Sequence, residues 1–334
     1  MDGVSTQHGR VITSGFKPHP LARGPHAQTM LPFLLRTPPR IEFRRERQAT
    51  PDDDEIELCW FGADQGPIVI LLHGLTGGVD SKYLLGTAQQ LMQRGLRGLM
   101  IAGRGTTFAN RQHKFYCHGH TADLRHVARW LHAREPQTPL LAAGWSLGGN
   151  VLLSYLGEEG ADTPLAAAVA VSVPFSVREC AERIRVGSSR MYQKRLLEGL
   201  KQQLRRKHAQ GSAPVDMAAV LRARDFFEFD DAATAPLNGY RDALDYYARG
   251  SSRPLLGRIR IPTLILHAED DPFLSRAVIP AAQELAPPGT IELSARGGHV
   301  GFIGRDPRGL PHYWMEQRIT DFLAAVAADN TLSF

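Results

Sequence analysis

An α/β fold built on a mostly parallel, doubly wound sheet is what the sequence predicts, and three observations carry that expectation. Short apolar runs such as Ile68-Val69-Ile70-Leu71-Leu72 and Ala166 to Ser172 have the length and unbroken hydrophobicity of strands buried on both faces. Helix-period stretches separate such runs; in Ala122 to Arg134, for example, Leu124, Val127, Ala128 and Leu131 fall on one face. Finally, Leu140 to Leu153 joins an apolar run directly to a helix-compatible one through Gly144-Trp145-Ser146-Leu147-Gly148. Strands alternating with helices are the signature of a parallel sheet covered on both faces.

The bulk properties agree. With 334 residues the chain can bury a sizeable core, as one large domain or a domain carrying an insertion. A hydrophobic content of 43% and a charged content of 22% are ordinary for a globular protein. No apolar run approaches the length that spans a bilayer, and the polar stretch from Met1 to Gly15 lacks the apolar region of a secretory signal. Cys59, Cys117 and Cys180 are widely spaced and odd in number, which argues against a disulfide framework or a zinc site and fits a reducing cytoplasm. The net charge of +5 is too mild to name a partner, and no nucleic-acid partner is expected.

In chain order, residues 1–50 are rich in proline (Pro18, Pro20, Pro25, Pro32, Pro38, Pro39) and read as an extended arm with short helical pieces wrapped on the main body. Partial alternation on either side of Pro51-Asp52-Asp53-Asp54 predicts a hairpin. We therefore expect an arm and first hairpin over 1–58, and a core over 59–174 and 256–334. The core opens with the strand ending at His73-Gly74-Leu75-Thr76-Gly77-Gly78, a helix from Tyr83 to Arg94 and a strand from Gly98 to Ala102. After Pro174 the alternation stops, and it resumes at Pro262-Thr263-Leu264-Ile265-Leu266-His267; the interval 175–255 reads as a helical cap inserted between two strands. Ten Lys or Arg stand against three Glu between Arg178 and Lys207, either a solvated helix face or a surface attracted to an anionic lipid or substrate.

The junction at Ser146 has the form of a nucleophile elbow, a strained strand-to-helix turn that lifts one hydroxyl above the sheet. A serine hydroxyl needs a base to take its proton, and the base needs a third group to orient it. Both follow in the expected order. Glu269-Asp270-Asp271 sits at the end of the strand Leu264-Ile265-Leu266, where spacing favours Asp271 over Asp270, with Glu269 third. His299 lies in the glycine-flanked loop Gly297-Gly298-His299-Val300-Gly301 after the strand Ile291-Glu292-Leu293. Two backbone N–H donors for an oxyanion are expected at Leu147 and Leu75. His73 reads as a histidine bracing the Gly74 turn, near a pocket also assigned Trp145, Phe226 and Phe227. Phe229, Tyr246 and Tyr247 are either further acyl-pocket wall or the core of the cap. Asn110, His113, His118 and His120 read as loop and pocket-wall residues without a zinc spacing, Cys117 as structural, and no phosphate-cradling glycine motif occurs.

The chain resembles the YheT-like branch of the α/β-hydrolase superfamily, related to plant EMB8-type and animal ABHD1/ABHD3-type hydrolases. The resemblance rests on Pro25-His26-Ala27-Gln28-Thr29-Met30, His73 to Gly78, Asn110 with Phe115-Tyr116, Gly144 to Asn150, Val171 to Phe175, Asp271-Pro272-Phe273 and Gly297 to Phe302, so it spans most of the chain. It implies an α/β-hydrolase fold, with Ser146 as nucleophile, Asp271 as orienting acid and His299 as base. It also implies hydrolysis of carboxylic esters without cofactor or metal. Trp145 stands where the family more often has Phe. The expected activity is therefore hydrolysis of short or medium acyl esters or monoacylglycerol-like lipids through an acyl-enzyme. Acyl transfer to an alcohol and non-catalytic acyl-ligand binding are the alternatives. Peripheral contact with an anionic membrane is compatible with the basic segment, and nothing in the sequence fixes an oligomeric state.

Overall fold

The computed structural model describes residues 7–209, 211 and 213–331 of the chain. Its principal strands are β1 (Arg10–Thr13), β2 (Arg44–Thr50), β3 (Asp54–Phe61), β4 (Ile68–Leu72), β5 (Arg97–Ala102), β6 (Leu140–Trp145), β7 (Leu165–Val171), β8 (Thr263–Ala268) and β9 (Gly289–Ser294). They form one sheet in the order β1-β9-β8-β7-β6-β4-β5-β3-β2. Pairing is parallel from β1 through β5 in that order, and antiparallel where β3 joins β5 and β2 joins β3. A further antiparallel pair, β10 (Ile303–Arg305) and β11 (Pro311–Tyr313), stands apart from this sheet.

The apolar runs become central strands because both faces are covered. In β4 the side chains of Ile68, Ile70 and Leu72 enter one apolar layer while Val69 and Leu71 enter the other. Helices α2 (Lys82–Gln93) and α11 (Trp314–Thr331) cover one face. Helices α3 (Ala122–Arg134) and α4 (Leu147–Glu159) cover the opposite one.

The arm is more deeply built in than an appended wrapping. β1 adds a parallel edge strand to β9, although all four of its residues are exposed, and α1 (Pro25–Leu35) lies on the core. The boundary expected after residue 58 falls inside β3, which is hydrogen-bonded to β5, so the hairpin belongs to the same sheet. Its turn is fastened by Arg104, whose guanidinium is donated to Asp52, Asp54 and Asp123. Between β7 and β8 the described residues form helices and no strand, namely α5 (Val177–Ile184), α6 (Arg190–Lys207), α7 (Met217–Arg222), α8 (Phe226–Phe229), α9 (Ala235–Leu237) and α10 (Ala243–Gly250), with shorter turns among them. These share a third apolar cluster around Leu197, Leu204, Phe229 and Tyr247. No helix among the described residues is long and apolar enough to cross a membrane.

The chain leaves β4 for β5 on one side, then crosses to β6 on the other, so strand order reverses between β4 and β6. In a parallel sheet the crevice outside the carboxyl ends at such a reversal is where ligands bind. Leu72 at the end of β4 pairs with Gly144 in β6, and Trp145 with Val171 in β7, so these carboxyl ends lie level.

Candidate active site

Ser146 follows β6 and precedes α4, with φ of 51° and ψ of −119°. For a residue bearing a Cβ this left-handed φ is strained, and such strain is tolerated only where the surroundings dictate it. Here the dictating contact is between backbones. A Cβ on Gly148 would come within 2.3 Å of the Leu72 carbonyl oxygen, and one on Gly144 within 2.4 Å of the Gly148 carbonyl oxygen. Only glycine at both positions lets α4 start this close to β4 and β6. The Ser146 N–H is donated to the Val171 carbonyl at 2.8 Å, which ties the elbow to β7.

The structure brings His299 and Asp271 to that hydroxyl. His299 Nε2 lies 3.0 Å from Ser146 Oγ, and Nδ1 lies 2.7 Å from Asp271 Oδ2. A carboxylate accepts only, so Nδ1 carries the proton and Nε2 is left free to accept from the serine. Asp271 is 3% exposed, and its Oδ1 accepts the Phe273 N–H at 2.8 Å. The Phe273 ring stacks on the imidazole with centroids 4.0 Å apart and planes 7° from parallel. The other two carboxylates are engaged elsewhere. Asp270 Oδ1 accepts the Gly298 N–H at 2.9 Å while its Oδ2 is buried without a partner among the described residues, and burial pushes its carboxyl up. Glu269 pairs with Arg276 at the surface.

Several residues that hold this geometry carry no local sign of it in the sequence. The His299 N–H is donated to Thr29 Oγ1 at 2.9 Å, and the Val300 N–H to Ser172 Oγ at 3.0 Å. Gln28 is fully buried; its Nε2 donates to the carbonyls of Ala22 and Ile303, and its Oε1 accepts the Ile303 N–H. The arm motif Pro25 to Met30 is thus a platform for the loop that carries His299. The loop needs one, because Gly298, Val300 and Phe302 all have positive φ.

Leu147 is the first residue of α4, where an N–H has no intrahelical acceptor. Neither it nor the Leu75 N–H has a hydrogen-bond partner among the described residues. The loop that bears Leu75 is braced on three sides. His73 Nδ1 donates to the Gly74 carbonyl at 2.8 Å and Nε2 accepts the Gly103 N–H at 3.0 Å. Tyr83 OH accepts the Gly74 N–H, and Tyr116 OH donates to the His73 carbonyl. Burial holds the His73 imidazole neutral, as this pair of bonds requires.

Ser146 and His299 open into a cavity of about 820 Å³ whose wall includes Leu75, Val177, Leu200, Phe226, Tyr246 and Tyr247. Six expected wall residues, Trp145, His73, Phe227, Asn110, His113 and His120, are absent from its lining. Trp145, the last residue of β6, turns into the apolar layer beneath α2 and α11 and is fully buried against Tyr83 at 5.3 Å between centroids. His73 is a brace, buried behind the glycine turn. Phe227, one position past Phe226 on a helical turn, faces away and takes Tyr247 on its edge and Arg185 on its face. Asn110 instead joins the buried Arg104 network, donating to Asp54 at 2.6 Å and accepting from Lys207. Of the neighbouring histidines, His118 does line the cavity, bonded to Tyr246 OH at 2.7 Å, with burial pushing its imidazole down to about 3. His113 stacks on His208 and His120 sits by Asp123. Phe229 is wholly buried in the helical cluster. No group of three or more His, Cys, Asp or Glu among the described residues is placed to hold a metal ion.

Asp80, Asp230 and Glu316 also line the cavity, and of these Asp230 lies among its apolar helical wall. Asp230 begins a π-helical turn, Asp230–Thr234, and accepts from Thr234 Oγ1 at 2.5 Å and Tyr247 OH at 2.8 Å. Burial pushes its carboxyl up to about 7. An unfolded aspartate titrates near 3.9, so between these values the folded chain holds a proton that the unfolded chain has released. Stability from this group therefore falls as pH rises through that window, by up to about 1.4 kcal/mol per pH unit. Asp230→Asn, which can still accept from one hydroxyl and donate to the other, should remove that fall. Its Tm should gain on wild type steadily between about pH 4 and 7 in thermal melts; a constant difference would contradict the assignment.

Known proteins supply independent placement. A family model described as the alpha/beta hydrolase fold matches residues 67–306. The Escherichia coli protein named "Putative esterase YheT" is 41% identical over 305 residues, covering 89% of each chain. Human "Phospholipase ABHD3" is 33% identical over 309 residues, covering 89% of this chain and 75% of that one. Among solved structures, the alpha/beta hydrolase GrgF from Penicillium sp. sh18 superposes with a TM-score of 0.57 at 17% identity, over 86% of this chain and 99% of that one, a likeness of fold alone. With its nine-stranded sheet, the elbow between β6 and α4 and a matched segment covering most of its length, this chain belongs to the α/β-hydrolase family.

Proposed function

We propose that the protein is a serine hydrolase of carboxylic esters that works through an acyl-enzyme, with Ser146 as nucleophile, His299 as general base and acid, and Asp271 as orienting carboxylate. The observation that carries this reading is the continuous relay Asp271–His299–Ser146, with its two contacts of 2.7 and 3.0 Å, placed where strand order reverses. The esterase and phospholipase names of the relatives support ester chemistry, and the apolar wall supports an acyl chain as the group held.

In the first step Ser146 Oγ bonds to the ester carbonyl carbon as its proton passes to His299 Nε2. The resulting imidazolium is stabilised by the Asp271 carboxylate and, across its face, by the Phe273 ring. The carbonyl oxygen becomes an oxyanion facing the Leu75 and Leu147 N–H groups and the N-terminal end of α4. Collapse breaks the bond to the leaving alkoxide, which takes the proton from Nε2. Water then repeats the sequence, losing a proton to Nε2, and releases the acid with Ser146 restored. Helices α5 to α10 act as a cap over the cavity. A volume of about 820 Å³ suits a short or medium acyl ester or a monoacylglycerol-like lipid, toward the large end of ordinary small-ligand pockets.

A p-nitrophenyl ester series from acetyl to palmitoyl, run alongside labelling by a fluorophosphonate, tests this reading. We expect one phosphonyl adduct, mapped to the Ser146 peptide, and an optimum at short or medium chains. A protein inert on every ester and unlabelled would overturn it.

A further inference from the structure

We propose that the face onto which the cavity opens is a docking surface for an anionic lipid bilayer. The surface is argued from its own composition; only its consequence for turnover rests on the hydrolase reading. Helix α1 ends in three consecutive apolar residues that face solvent, Phe33, Leu34 and Leu35, at 47%, 58% and 75% exposure. Leu21, just before α1, is 84% exposed, and Val186 and Met191, beside and within α6, are 55% and 53% exposed. These belong to one neighbourhood. His26 of α1 bonds to Tyr192 OH and Ser188 Oγ, both at 2.9 Å, and the Arg195 guanidinium lies 4.3 Å over the Phe33 ring. The cavity opens within this neighbourhood, walled by Met30 and Phe33 from α1 and by Arg195 and Leu196 from α6.

The cations of this face carry no ion pairs among the described residues, whereas several elsewhere on the helical segment do. Arg178, Arg185 and Arg249 are paired with Glu182, Asp225 and Asp245. Lys82, Arg190, Lys194, Arg195, Arg205 and Arg206 have no ion-pair partner among the described residues. Of the acids around this face, Glu316 is paired with Arg36, Asp225 with Arg185 and Glu198 with Lys201, and Asp80 has no ion pair among the described residues. Exposed apolar residues neighboured by uncompensated Lys and Arg are what an interfacial segment presents to anionic headgroups: the apolar side chains enter the acyl boundary while the cations stay with the phosphates. A second copy of this chain is the poorer occupant. A twofold contact would set the patch against itself and bring like charges together. Docked this way, the cavity mouth would receive an ester lying in the membrane without its passage through water.

The test is co-sedimentation with vesicles of phosphatidylcholine alone or mixed with phosphatidylglycerol, at low and high salt. Wild type is compared with Leu34→Ser/Leu35→Ser and Arg190→Glu/Lys194→Glu, none of which touches the cavity wall. We expect binding to the anionic vesicles at low salt, weakened on the order of tenfold by either double substitution and weakened by salt. Hydrolysis of a water-soluble ester without vesicles should be unchanged in both variants, which shows that they fold. Absence of binding at low salt, or variants that bind as wild type does, would overturn the proposal. So would a dimer in light scattering that Leu34→Ser/Leu35→Ser dissolves while vesicles are ignored. Vesicle binding by a protein inert on soluble esters would leave the docking surface standing and remove the hydrolase reading alone.

Discussion

Replacing Ser146 by alanine should lower kcat on a soluble ester by at least about 10⁴-fold, with KM changed little. The hydroxyl oxygen is the group that His299 Nε2 addresses at 3.0 Å, and without it no acyl-enzyme forms. Substrate contacts with the wall formed by Val177, Leu200, Phe226 and Tyr246 are untouched, so the loss belongs in kcat. The unpartnered Leu75 and Leu147 N–H groups remain, and a residual rate above the uncatalysed one is expected from them. Stability should move little, because alanine keeps the Cβ that makes a φ of 51° costly. Ser146→Gly should be just as inactive yet more stable than the alanine variant by about 1 kcal/mol, since glycine adopts that φ freely. Steady-state rates and thermal melts of the two variants separate chemistry from backbone strain. An alanine variant within about tenfold of wild-type kcat would move the nucleophile away from Ser146.

Much of this site could be read from the chain because its parts obey local rules. Strands buried on both faces must be short unbroken apolar runs, which is why β4, β6, β7 and β8 were recognisable. The elbow announces itself because its two glycines are enforced by backbone-to-backbone contacts of the turn itself. What escaped depends on direction or on long-range contact. Trp145 reads as a pocket residue in the sequence, but as the last residue of β6 it packs into the layer under α2 and α11 instead of facing the cavity. Phe226 and Phe227 are equally aromatic, and the helical turn chooses between them. β1 pairs with a strand some 280 positions later through backbone hydrogen bonds, which its exposed Arg-Val-Ile-Thr side chains do not signal. Thr29 and Gln28 sit in a proline-rich arm that reads as irregular. Their roles arise where that arm meets the loop from Gly297 to Ile303, and no property of either residue alone predicts a carbonyl or N–H partner from the far end of the chain.

The adjacent carboxylates Asp270 and Asp271 are where the sequence left alternatives, and they should separate sharply. Asp271→Asn is expected to cut kcat by about 10⁴-fold. The reason is the tautomer. Asp271 Oδ2 accepts the Nδ1 proton at 2.7 Å, whereas an asparagine can offer Nδ1 an N–H instead. That would move the imidazole proton to Nε2, the nitrogen that must take the serine proton, and would also remove the charge that stabilises imidazolium. Asp270→Asn keeps an oxygen for the Gly298 N–H and removes a carboxylate that burial already disfavours, so kcat should fall less than about tenfold. It should also stabilise the fold as pH rises: a carboxyl pushed up by burial retains its proton when folded at pH values where the unfolded chain has lost it, and the cost grows through that window. Glu269→Gln, which breaks only an exposed pair with Arg276, should be silent in both measurements. A severe loss in Asp270→Asn with Asp271→Asn near wild type would reverse the assignment. It would then require the His299 loop to turn its imidazole away from the relay and toward the buried, unpartnered Oδ2 of Asp270.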